Sequence, residues 1–403
     1  MNETQQTLQQ RLWKALQDRD NTRITAILSE DQGELHEVDK RQAYERLIRN
    51  QGYISLQELI DADKISLDIY EYDRFDTSIF ELLLKAKETP ELLDFLDQLL
   101  PQVDDINEEL SGLSFLAYAL ENQASIAFLE KLIAHGASLD FKDNSDRNLL
   151  FYVRKSRGGF GGPVESPGQK LQFLLDQGVE VNQQDKGGKT KIFDTIAIRD
   201  LEGTKVLLEH GAELNIQNTR GETPYHEVLF AAQDPELYTL MRAYEPPRLD
   251  LVNKNGQSLL FDFVARSPLN NAATRELLHL LIEDGADLYK EEKDLYGRAR
   301  TPAMEVAIKP DAGPDGIEIL IGAPEFSVNR VDNQGNTLLH YVCSINLLHE
   351  TSREKDFYRK VKRLLKAGAD PHIRNDADQT PIDLAMDDNL KVKGLELMLQ
   401  YKN

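Results

Sequence analysis

Apolar and polar positions recur along this chain in one long cassette. It opens on a polar turn and continues with Thr or Ser, Pro or Leu, an apolar residue, and His or Phe. It closes 17–30 residues later on Leu-Leu-x-x-Gly-Ala. The clearest opening is Gly221-Glu222-Thr223-Pro224-Tyr225-His226, and others begin at Gly256, Gly335 and Asp378. Closings read Leu132-Ile133-Ala134-His135-Gly136-Ala137, Leu207-Leu208-Glu209-His210-Gly211-Ala212 and Leu364-Leu365-Lys366-Ala367-Gly368-Ala369. Placing the hydroxyl slot at 77, 114, 148, 190, 223, 258, 301, 337 and 380 gives spacings of 37, 34, 42, 33, 35, 43, 36 and 43. A period near 33 with insertions predicts a stacked repeat array.

Each part of the cassette predicts an element. Pro224, Pro302 and Pro381 suit the first turn of a helix, where a missing N–H costs nothing. The Thr before each caps that helix. Paired Leu residues mark the buried face of a second helix, and the following Gly ends it in a left-handed conformation. Polar runs such as Gln217-Asn218-Thr219-Arg220-Gly221 are turn chemistry. Before residue 70 the apolar stripes Leu8, Leu12, Ala15, Leu16 and Ile24, Ile27, Leu28 predict one helix pair, and Ala43, Tyr44, Leu47, Ile48 with Ile54, Leu56, Leu59, Ile60 a second.

Over roughly residues 70–403 the two halves of the cassette, in order and at this period, resemble the ankyrin repeat. The resemblance implies an all-α repeat solenoid, an ankyrin-type helix-turn-helix stack with short β-hairpin fingers. We expect residues 1–70 to form an N-terminal helical cap and a diverged repeat, and residues 71–403 an array of about nine repeats. The pattern departs from the family at Asn148-Leu149-Leu150-Phe151, at Thr190-Lys191-Ile192-Phe193, and at Tyr244-Glu245-Pro246-Pro247, which lacks Gly-Ala. A shortened copy ends Ile319-Leu320-Ile321-Gly322-Ala323-Pro324.

Charge narrows the partner. The formal charge is −22, and residues 51–150 carry 21 Asp and Glu against 7 Lys and Arg, a net of −14. Nucleic acid and anionic membrane both select a basic footprint, so neither is expected. An acidic surface steers a basic protein. The single cysteine, Cys343, excludes an intrachain disulfide and reads as a small core residue inside a first helix. Met1-Asn2-Glu3-Thr4-Gln5-Gln6 begins no signal peptide, so the expected location is cytoplasmic.

Catalytic patterns fail on spacing. Gly187-Gly188-Lys189-Thr190 ends like a phosphate-binding loop, but Gln183 stands where that motif needs Gly. No His-x-x-x-His or Glu-x-x-His pair offers metal ligands. His226 and His340 occupy the slot where the resemblance implies an imidazole tying a turn to its neighbours, and His135 and His210 sit beside helix-ending glycines. The expectation is a non-enzymatic, monomeric, cofactor-free binder of a protein partner.

The resemblance further implies contact through the fingers and the inner face of the first helices. Carried onto this chain, finger candidates are Lys142, Asp143, Asn144, Asn218, Arg220, Asn253, Lys254, Asp332 and Asn333. Inner-face candidates are Tyr152, Asp194, Glu227, Phe230, Asp262, Phe263 and Tyr341. A Gly- and Pro-rich insertion, residues 154–168, adds Arg154 and the apolar anchor Phe160. Two further insertions, near 267–271 and 346–351, also fall between first and second helices, where they are expected to project from one side. The sequence is similar to divergent bacterial ankyrin proteins, some of which are immunity proteins for secreted toxins. That implies a cytosolic inhibitor of a basic toxin. The alternatives are an adaptor or secreted effector that occupies a host protein, and a structural spacer in a larger assembly.

Overall fold

A computed structural model describes residues 7–154, 165–294, 297–347, 353–386 and 388–401. Twenty-one α-helices lie among them. They gather into two compact units, Met1–Lys186 with Glu202–Gly211, and Gly187–Leu201 with Ala212–Asn403.

In the first unit, helix pairs Leu8–Asp18 with Asn21–Glu30 and Glu37–Arg49 with Tyr53–Asp61 precede the repeats. The pairs Ile79–Leu84 with Pro90–Leu99 and Phe115–Glu121 with Ile126–Ala134 follow. The repeat at 148 differs from expectation. Its first helix is one 3-10 turn, Leu149–Tyr152, before the second helix Pro167–Asp176. No Thr–Pro stands at its start, and the Asn148 side chain takes the Leu150 N–H at 3.2 Å, which closes a tight turn.

In the second unit, Lys191–Ala197 is a first helix. It is followed by Pro224–Glu227, which runs into a π-helical turn at Val228–Ala232, and by Pro235–Tyr244. The pairs Leu259–Arg266 with Ala272–Glu283, Pro302–Ile308 with Gly313–Gly322, Leu338–Ser344 with Glu354–Lys366 and Pro381–Ala385 with Val392–Leu399 complete it.

Apolar burial follows the cassette. Leu132, Leu174, Leu281 and Leu364, from the closing motif, are fully buried, as are Tyr225, Tyr238, Phe261 and Phe263. Cys343 is buried too, which pushes its thiol up to about 12. The insertion near 267–271 does not simply project. Leu269 is fully buried, and its N–H meets Asp311 at 3.3 Å.

Most fingers are not β-ladders. Among the described residues one two-residue ladder is found, Glu292–Lys293 against Ala299–Arg300. Elsewhere an Asp or Asn side chain closes the turn. Oδ1 of Asn218 accepts the N–H of Arg220 (2.7 Å) and of Glu222 (3.0 Å). Asp143, Asn253, Asp332 and Asn375 repeat this with the residues two and four further on. The third residue after each is left-handed: Asp146, Gly221, Gly256, Gly335 and Asp378. The fifth is the helix cap, Asn148, Thr223, Ser258, Thr337 or Thr380. A side-chain oxygen thus takes the N–H groups that a ladder would have used. Within each unit, neighbouring fingers share a backbone hydrogen bond, such as Lys254 N–H to Arg220 O at 2.9 Å and Asp376 N–H to Gln334 O at 2.9 Å.

Lysines, buried at 360 and 391 and half-buried at 309, join neighbouring repeats of the second unit. Lys309 Nζ donates to Val264 O (2.7 Å) and Ala265 O (3.1 Å) at the end of Leu259–Arg266. Lys360 Nζ donates to Ala307 O and Lys309 O, both at 2.8 Å, and Lys391 Nζ to Cys343 O at 2.7 Å. Each caps carbonyls that a first helix leaves unpaired at its C-terminus.

Two outcomes are expected. Gly188 and Gly211 both have positive φ. A Cβ on Gly188 would stand 2.8 Å from the Thr219 nitrogen, whereas one on Gly211 would meet nothing within 4 Å. Gly211→Ala should lose about 1–2 kcal/mol, the cost of the left-handed backbone. Gly188→Ala should lose clearly more, and equal losses in urea melts would remove the close-approach argument. Burial lowers Lys360 from 10.5 to about 8. The folded state then holds that proton less tightly than the unfolded chain, so stability rises with pH between those two values. From pH 7.5 to 9.5 the wild type should gain about 2 kcal/mol relative to Lys360→Met. Parallel pH profiles would contradict it.

Candidate binding surface

The finger geometry pairs the two groups of candidate residues. The residue nine positions after each finger Asx lies on the first helix of the same repeat. Tyr152 donates its hydroxyl to Asp143 Oδ2 at 2.7 Å, and Tyr341 donates to Asp332 Oδ2. Burial pushes the Asp143 carboxyl up, but hydrogen bonds from Tyr152 and Arg147 outweigh this and hold it below the ordinary range. Tyr341 is pushed up to about 12, first by burial and then by Asp332. After Asn218 and Asn253 the same position is acidic, Glu227 and Asp262, and after Asn375 it is Leu384.

In the first unit, Asp143 and Tyr152 are therefore buried and hold their own turn, while Lys142, Asn144 and Arg154 are exposed. Arg154 pairs with Glu121 at 3.0 Å. Phe160 falls outside the described residues.

In the second unit, two groups of candidates come together. Asp332, Asn333 and Tyr341 line a recess of about 210 Å³ with Tyr289, Glu291, Met304 and Arg330. Arg330 lies over the Tyr289 ring at 4.0 Å, and Asn333 Nδ2 donates to Glu291 Oε2 at 3.0 Å.

The larger group is built on the repeats at 190, 223 and 258. Lys189 Nζ meets Glu227 Oε1 at 2.5 Å and stands 5.5 Å over the Phe193 ring. Arg220 pairs with Glu222 at 2.7 Å. Arg266 pairs with Asp262 at 2.7 Å and lies over the Phe230 ring at 4.2 Å. Phe230 in turn packs against Phe263 and His226. The π turn at Val228–Ala232 carries Phe230, and such turns widen the helix and re-aim a side chain. Asn218 and Asn253 are buried within their turns, Lys254 and Asp194 are exposed, and Asp194 faces Lys191 at 3.9 Å.

Two buried groups in this cluster are electrostatically tense. Burial raises the Asp262 carboxyl above its ordinary 3.8 against the pull of Arg266, and its Oδ1 has no hydrogen-bond partner among the described residues. Burial lowers His226 to about 4. Its Nδ1 accepts the Thr223 N–H at 2.9 Å. His340 receives the Thr337 N–H the same way at 3.0 Å, and its other nitrogen reaches Gln379 O in the next turn at 3.1 Å. Sequence reasoning missed Lys189, Glu222 and Arg266 as members of the cluster. The available signal was Arg266 four residues after Asp262, on one face of a helix.

With this geometry in place, comparison with known proteins assigns the family. The ankyrin repeat family model matches residues 334–376. Ankyrin repeat protein L371 of Acanthamoeba polyphaga mimivirus is 24% identical over 272 residues, 66% of this chain and 32% of that protein. Ankyrin repeat and SOCS box protein 6 of Homo sapiens is 30% identical over 117 residues, 28% of this chain and 26% of that protein. The chain thus spans a third or less of these relatives' length. This chain is an ankyrin-repeat protein. The solved complex of the Bd0816 predatory endopeptidase from Bdellovibrio bacteriovorus with immunity protein Bd3460 aligns at a TM-score of 0.39. Identity is 20%, over 52% of this chain and 97% of the matched one. A likeness that low decides nothing about the partner. No helix among the described residues is long and apolar enough to cross a membrane.

The Asp262–Arg266 pair generates a pH test. A carboxyl raised in the folded state costs stability once pH exceeds its ordinary value. Arg266→Ala removes the partner and deepens that cost, so the variant should lose about 3 kcal/mol at neutral pH and less near pH 4. Adding Asp262→Asn should recover most of it. An equal loss at both pH values would mean that Asp262 is not a buried charge.

Proposed function

We propose that this chain binds and covers a basic protein, acting as an immunity-type inhibitor of a toxic partner. The observation that carries the reading is the state of the charges in residues 51–150. Four of the seven cations there are paired internally: Arg74 with Asp76, Lys85 with Glu81, Lys131 with Asp97 and Arg147 with Asp143. Glu91, Asp94, Asp104, Asp105 and Glu109 stand exposed beside them. Exposed carboxylates without compensating cations attract a basic surface and raise its association rate. A scaffold acts on its partner by occupying a surface. When that surface is the partner's active one, occupation is inhibition.

Affinity capture from the producing cells, at low and high salt, tests this. The expected catch is one stoichiometric basic protein, released by salt, whose activity falls when the chain is added back. Reversing Asp104, Asp105, Glu108 and Glu109 to Lys should slow its association about tenfold or more. A partner that is not basic, or whose rate is unchanged by the reversal, would overturn the reading.

A further inference from the structure

The ion pairs of this protein differ in which partner faces water. On the fingers and first helices the carboxylate is commonly the buried member. Arg220 is 66% exposed over Glu222 at 12%, and Arg266 is 43% exposed over Asp262 at 1%. Lys85 over Glu81, Arg147 over Asp143, Lys290 over Glu292 and Arg298 over Asp294 share this arrangement. Between second helices the order commonly inverts, as where Asp97, at 42%, is more exposed than Lys131, at 29%. Arg363 is likewise less exposed than Glu318, and Arg275 less than Asp315. Lys191–Asp194 and Arg374–Asp378 on the inner side, and Arg242–Asp284 and Lys393–Glu354 on the outer side, are among the exceptions.

We infer that the second unit carries a cationic docking patch, Lys189, Arg220, Lys254 and Arg266, that takes an acidic segment of a partner polypeptide. The patch is continuous. Lys254 N–H bonds Arg220 O at 2.9 Å, and Arg266 also reaches Glu222 at 3.9 Å. Each cation that tops a carboxylate is fixed in place by it, so little ordering remains to be done on binding. A guanidinium has five donors, and a carboxylate beneath it uses at most two in a fork. Outward-facing N–H groups remain for a second carboxylate. The rings beneath are already covered, Phe230 by Arg266 and Phe193 by Lys189. Nucleic-acid bases, which bind such surfaces by stacking on open rings, would find none there. A peptide of carboxylates fits what is left. The exposed Asp194 at the edge limits the patch to these repeats.

This inference goes beyond the proposed inhibition and does not depend on it. It is tested with the full chain and a fluorescein-labelled peptide of Glu and Ser carrying one Leu, followed by fluorescence anisotropy. The expected result is saturable binding, although the chain as a whole is at −22. Arg220→Glu and Lys254→Glu together should weaken it about fivefold or more, with some fall in melting temperature because Arg220 covers Glu222, and Lys254→Glu alone should weaken it about twofold with the melting temperature unchanged. Asp104→Lys with Asp105→Lys should not weaken it, which separates this patch from the acidic surface of the first unit. No saturable binding, or an affinity unchanged in the Arg220→Glu, Lys254→Glu variant, would overturn the inference.

Discussion

The finger Asx oxygen is the interaction on which the rest of the repeats at 148, 223, 258, 337 and 380 depends. By accepting two N–H groups from the residues two and four ahead, it bends the chain within five residues. That bend demands a left-handed residue at the third place, filled by Gly221, Gly256 and Gly335, and by Asp146 and Asp378 where Gly is absent. It delivers the fifth residue as a helix cap and the ninth onto the face beside the finger. The pairs Asp143 with Tyr152 and Asp332 with Tyr341 are thus consequences of one turn geometry repeated in different places. A tyrosine hydroxyl on the second carboxylate oxygen satisfies an atom that the turn alone leaves open.

The same geometry explains how much of the fold was legible. Signals lying within a few residues of one another were readable: the capping Thr380, the paired Leu364 and Leu365, and the turn after them. Repeats at 223, 258, 301, 337 and 380 therefore stand where their spacing placed them. The 3-10 turn at Leu149–Tyr152 and the π turn at Val228–Ala232 were not foreseen, because their apolar patterns also suit an ordinary helix. The lysines that cross between repeats were hidden as well. Lys309, Lys360 and Lys391 reach back over 45, 53 and 48 residues, since insertions lengthen each step differently. In the sequence the surface candidates lie on separate fingers and helices. Only the fold shows that Asp143, Asn218, Asn253 and Asp332 point into their own turns, leaving neighbours such as Arg220 and Lys254 outermost.

Net charge describes the chain and not its faces. The value of −22 is a sum over residues, and it says nothing about which member of a pair is uppermost. Burying Glu222 and Asp262 beneath arginines removes negative charge from the surface without removing it from the composition. The desolvation cost falls on the carboxylate, as the raised Asp262 shows. A strongly acidic protein can in this way present a local cationic surface.

The capping lysines also give the second unit a direction. Each reaches from a later repeat to the carbonyls of an earlier one, so the joints overlap like roof tiles laid one way. Peeling from the C-terminal end lifts Lys391 first and uncovers Cys343 O; the next layer lifts Lys360 and uncovers Ala307 O. Each loss hands the uncovered carbonyls to water in place of a fixed ammonium. Started from the other end, the same process frees each lysine after the helix it served has already gone. A machine that threads proteins would meet two different resistances depending on which terminus it seized.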